Sequence, residues 1–124
     1  MNAAEIIREK MSNEGYPIPR ARLVRQACGR LRLGLDWTFQ YDCVLFTVSK
    51  DKYEVHLYAL NSGMHLLSAV AKFMSQVWQT VPTDYLIAPI LNPRVERLAK
   101  RFGWQSIGKL PWGHKLYVIR RPAQ

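Results

Sequence analysis

The stretch NPRVERLAKRFGWQSIG, residues 92–108, follows an apolar run that ends at Leu91. Asn92 is a residue type that caps helices with its side-chain oxygen. Pro93 fits the first helical turn, where a missing N–H is no loss. Gly103 suits the left-handed position beyond a helix C-terminus. Between them lies a basic helix, with Arg94, Arg97 and Arg101 on one stripe at i, i+3 and i+7. Upstream, TDYLIAPIL (83–91) reads as a short buried strand. Downstream, WQSIGKL (104–110) and HKLYVIRR (114–121) read as two strands joined by the turn PWG. A strand, a helix and a return to strand make a crossover, which requires a sheet to return to.

The chain before this stretch supplies that sheet. YDCVLFTVS and YEVHLYAL are β-branched and aromatic runs linked by KDK, and they predict paired strands at about 41–49 and 53–60. DWTF (36–39) is another strand or an extended lead-in. NSGMHLLSAVAKFMSQVWQTV (61–81) turns helical, capped by Asn61 or Ser62 and ended by Pro82. Its apolar face holds Leu66, Leu67, Val70, Phe73, Met74 and Val77. Two helices come first: residues 2–13, with Ile6, Ile7 and Met11, and residues 20–33, with Leu23, Val24, Ala27 and Leu31. NEGYPIP separates them and Gly34 ends the second. The order predicts an α/β fold: an antiparallel hairpin, then a crossover, giving a mixed sheet with helices on its faces.

A chain of 124 residues fits a single domain, 1–124, with a basic helical part at 1–35 and a core at 42–120. Cys28 and Cys43 lie in no CxxC or Cys/His cluster, so no zinc site or disulfide framework is indicated and no metal is expected. No run approaches the ~20 apolar residues of a membrane span, and the start has no signal-peptide pattern, so the expectation is a cytoplasmic protein. Net charge is +9, from 18 Lys+Arg against 9 Asp+Glu, which favours anionic partners. Arg20, Arg22, Arg25, Arg30 and Arg32 crowd one helix and suit an acidic protein surface or nucleic-acid phosphates. HKLYVIRR, as an exposed last strand, would allow pairing into a homo-oligomer. Trp78 and Trp104 fit the core, Trp37 and Trp112 a partner surface or a pocket mouth, and His114 a surface turn.

From Tyr41 onward the order of elements, with the Asn-led helix and the Gly103-Trp104 pair, resembles the GNAT (Gcn5-related N-acetyltransferase) superfamily over residues 42–120. The small basic form also resembles acetyltransferase-like proteins of tailed bacteriophages. The resemblance implies acetyl-CoA as cofactor and an amine as acceptor. It places the cofactor against Leu60, Ser62, Gly63, Met64, His65, Asn92 and Arg97. The family cradles a pyrophosphate on free amides at a helix start. This chain's loop, NSGMHLLS, has one glycine and no arginine, and a capped helix without a ligand explains it equally. Pro89 is compatible with the splayed strand through which the family admits pantetheine. The candidate base is the pair Glu54 and His56, on one strand face at i and i+2; a solvated sheet face is the plain alternative. The family's usual proton-donating tyrosine position is Ala99 here, and Tyr117 is the candidate substitute. Three functions follow: an acyl-CoA-dependent N-acetyltransferase, a GNAT-fold binding or structural protein without catalysis, such as a virion or assembly component, and a non-specific nucleic-acid-binding protein.

Overall fold

The computed structural model describes residues 1–12, 15–60 and 64–123. Helix α1 (Ala3–Lys10) opens on Asn2, whose side chain accepts from the Glu5 N–H at 2.9 Å. At its other end the Arg20 guanidinium donates to the Met11 carbonyl at 2.6 Å and to the Arg8 carbonyl. Helix α2 (Arg20–Arg32) follows, burying Leu23.

Strands β1 (Asp36–Tyr41), β2 (Val44–Ser49) and β3 (Val55–Ala59) form an antiparallel meander in that spatial order. The expected strand 41–49 is therefore two strands. Asp42, at φ 55, reverses the chain within what reads as one apolar run. DWTF belongs to a full strand that pairs along all of β2, from Asp36 opposite Ser49 to Tyr41 opposite Val44.

Alternation assigns the two faces. Phe46 and Val48 point to helix α3 (Met64–Thr80), whose Phe73 stacks on Phe46 at 4.3 Å and meets Phe39 edge-on at 5.3 Å. Leu45 and Tyr58 point the other way, against Ile6 and Ile7 of α1. Helices on both sides explain why every residue of β2 is buried.

The second sheet has the order β4 (Tyr85–Ile90), β6 (Lys115–Arg120), β5 (Gln105–Lys109), all antiparallel. The last strand is thus central, which corrects its reading as an exposed edge: both its neighbours are occupied, and β5 is the edge strand instead. Helix α4 (Pro93–Arg101) packs Val95, Leu98 and Ala99 on the core but fully buries none of its residues. α3 carries no basic residue in its last turn. Arg121 takes that place, donating to the carbonyls of Trp78, Val81 and Thr83, each at 3.0 Å. Trp104 is buried; Trp78 is half-buried with the Arg121 guanidinium 5.3 Å over its ring. The mixed α/β architecture expected from the order of elements is the one found, divided into two sheets. No helix among the described residues is long and apolar enough to cross a membrane.

Candidate active site in the gap between the sheets

Among the described residues one parallel bridge links the two sheets, Glu54 with Ile87, where the Ile87 N–H donates to the Tyr53 carbonyl at 3.1 Å. Aromatic rings close this end: Tyr53 lies 6.2 Å from Tyr85 and 6.3 Å from Trp37. Backbone N–H groups alternate sides along a strand, so residues 87 and 89 face the same neighbour. A next rung to β3 would need an N–H at position 89, and Pro89 has none. Past it the strands line opposite walls of a cavity of about 230 Å³, Val55–Tyr58 on one side and Ala88–Leu91 on the other. Phe46, Val70 and Phe73 close it from the direction of α3, Leu98 and Ala99 from α4.

Glu54 and His56 share a face of β3, as their spacing requires. His56 Nε2 lies 3.2 Å from Glu54 Oε2. That hydrogen bond, opposed by burial, holds the Glu54 carboxyl below its ordinary range. An ionised Glu54 accepts from Nε2–H, which fixes the tautomer and leaves Nδ1 as a proton acceptor. His56 lines the apolar cavity and also a second, polar one of about 190 Å³ under α2. There it joins Thr47, Ser49, Glu54, Asp36 and Arg30. Arg30 is fixed by Asp36, from Nε at 3.1 Å and Nη2 at 2.9 Å, and by Asp51 at 3.2 Å.

The other candidates fall in different places. Asn92 rims the apolar cavity, and its side chain accepts from the Arg94 N–H at 2.8 Å, so it is the helix cap it was also read as. Tyr117 is fully buried and lines neither cavity. Burial, and secondarily Glu96, raises its pKa. Among the described residues, its hydroxyl has no hydrogen bond of ordinary geometry. It is a core tyrosine, clustered with Phe73, Ala88 and Trp104. The Leu60 N–H donates to the Cys43 carbonyl at 3.2 Å. Ser62 and Gly63 lie outside the described residues, and Met64 begins α3. His65 is exposed and faces a separate cavity with Tyr41, Cys43 and Lys72. Arg97 is exposed on α4. Within the arginine-rich helix, Arg20 and Arg30 serve internal contacts, while Arg22, Arg25 and Arg32 are exposed. Among the described residues no three His, Cys, Asp or Glu side chains gather as metal ligands would.

Two residues of the site escaped the sequence. His114, expected in a surface turn, is 4% exposed and lines the apolar cavity. Tyr16 lies against it at 4.4 Å between ring centroids, and Trp112 stands 6.3 Å from Tyr16 at the surface. The only signal was the aromatic content of NEGYPIP and PWGH, segments that read as punctuation.

The slot between the strands has mostly apolar walls, and Pro89 offers no N–H with which to close it. No protein-family model matches the chain, and no curated protein matches it. Among solved structures, the chain is similar to the crystal structure of a "Probable acetyltransferase". The identity is 11%, the TM-score 0.58, and the match covers 95% of this chain and 85% of the other. The likeness is one of fold: the chain shares the fold of that structure over nearly its whole length.

Proposed function

We propose that the protein is an acyl-CoA-dependent N-acyltransferase. The observation that carries this reading is the gap past Pro89, walled by both strands, with His56 on the boundary it shares with the polar cavity and Glu54 bonded to it from the polar side. Bound acetyl-CoA would supply an activated acyl group. Val55–Leu57 and Ala88–Ile90 would hold its arm, and Asn92 and Leu98 border the same opening. The first turn of α3, from Met64, supplies N–H groups of the kind that bind phosphate. Arg97 would serve the outer, charged part of the cofactor. His56 Nδ1 takes the proton from the attacking amine, and Glu54 holds the imidazole and stabilises its charged form. The acceptor is an amine held in the polar cavity.

Thiol release from acetyl-CoA, followed with a panel of primary amines, tests this directly. His56→Ala should lower the rate at least about a hundredfold. A second reading, a binding or assembly protein on the same fold, is favoured by Ala99 and by the burial of Tyr117. It predicts cofactor binding without thiol release for any amine.

A further inference from the structure

The two cavities share a boundary. Met11, Tyr16, His56 and Tyr58 line both. Under the acyltransferase reading, on which this inference rests, that boundary is where an acyl group from the apolar slot meets an amine from the polar pocket. The reaction leaves a sulfur anion there, and a proton donor at that point speeds its departure. Neither residue expected from the fold supplies it: position 99 is alanine, and Tyr117 is fully buried and lines neither cavity.

Two phenols stand at the boundary. Tyr58 is 7% exposed and belongs to the core cluster with Ile6, Ile7 and Leu45. Tyr16 comes from the segment between α1 and α2 and is only half-buried. Its placement is built in. Gly15 has φ +75, and a Cβ there would come within 2.8 Å of both His114 Cε1 and Leu91 Cδ2. The backbone is thus pressed onto the cavity wall at a position that only glycine occupies without strain. The ring of Tyr16 then packs on His114 at 4.4 Å. Burial, aided by the Glu54 charge, raises its pKa, so the hydroxyl keeps its proton at neutral pH.

We infer that Tyr16 is the proton donor to the leaving sulfur, a catalytic residue supplied by the α1–α2 segment in place of one on α4. Tyr16 delivers its phenolic proton to the sulfur as the carbon–sulfur bond breaks and that electron pair moves onto sulfur. His56 takes the proton that the amine sheds as the carbon–nitrogen bond forms. Transfer of that proton from His56 to the Tyr16 phenolate restores both residues.

Calorimetric titration with coenzyme A and with its desulfurised analogue tests the contact without needing the acceptor. Tyr16→Phe keeps the ring on His114 and removes only the hydroxyl. Its affinity for coenzyme A should fall about tenfold, the loss of roughly one hydrogen bond to a charged group, while affinity for the desulfurised analogue stays unchanged. Gly15→Ala, which displaces the segment, should reproduce the coenzyme A loss with the fold intact by circular dichroism. Equal loss for both ligands, or no loss for either, would overturn the role of Tyr16 and leave the acyltransferase reading standing. Wild-type protein that binds neither ligand would overturn both.

Discussion

The first sheet and the second are built from strands of similar length and behave oppositely. In the first, helices cover both faces and β2 is buried from end to end. In the second, every residue of β5 is exposed and α4 fully buries nothing. The first sheet is a scaffold whose shape is fixed by packing. The second joins it through a bridge, an aromatic seam and a shared core in which Leu86, Ala88, Ile90, Trp104 and Tyr117 cluster with Phe46, Val48 and Phe73. The candidate site lies where the two sheets part beyond that bridge. Glu54 and His56 stand on the first sheet's side of it, and both sheets wall the cavity.

That contrast can be broken most severely at Phe73, which is 1% exposed between Phe39 and Phe46. Phe73→Ala should destabilise the protein by about 3–5 kcal/mol in chemical denaturation. Arg121→Ala comes next, because it uncaps α3 and removes three hydrogen bonds to carbonyls. A loss of roughly 1–3 kcal/mol is expected by the same measurement. Asn92→Ala removes the α4 cap and should lower stability by about 1 kcal/mol. At the weak end, Ile107→Ala on β5, where the side chain is 57% exposed, should shift stability by less than about 0.5 kcal/mol. A large effect at Ile107 would mean that β5 is covered in solution.

Acid titration sharpens the same comparison at the shared wall. Glu54 is held below its ordinary pKa in the folded state, chiefly by His56. Its contribution is therefore fully present above the unfolded carboxylate value and is lost as pH falls through the depressed folded one. Between those two points the unfolded chain binds the extra proton. Glu54→Gln should flatten the acid limb of the stability profile in that window, and an unchanged limb would deny the pair.

The sequence was legible where local chemistry decides structure. Asn92, Pro93 and Gly103 framed α4, and Pro89 marked the place where a ladder must stop. The Glu54 and His56 spacing put both on one face, and their contact followed. It was illegible where long-range contact decides. The run through Tyr41 and Val44 hides a reversal at Asp42 because its flanks are equally apolar. Tyr117 sits on the expected strand, but residue type does not tell which face is sealed. Strand order is not written in periodicity, so β6 passed for an edge. His114 read as a surface residue because its cover, Tyr16, comes from a segment nearly a hundred positions earlier in the chain.

The gap between β3 and β4 is the centre of this account, and acetyl-CoA binding by calorimetry at moderate salt tests it most directly. The account predicts one site per chain with micromolar affinity, about −8 kcal/mol, on folded wild-type protein. Folded protein that takes up no heat with acetyl-CoA at millimolar concentration would contradict it.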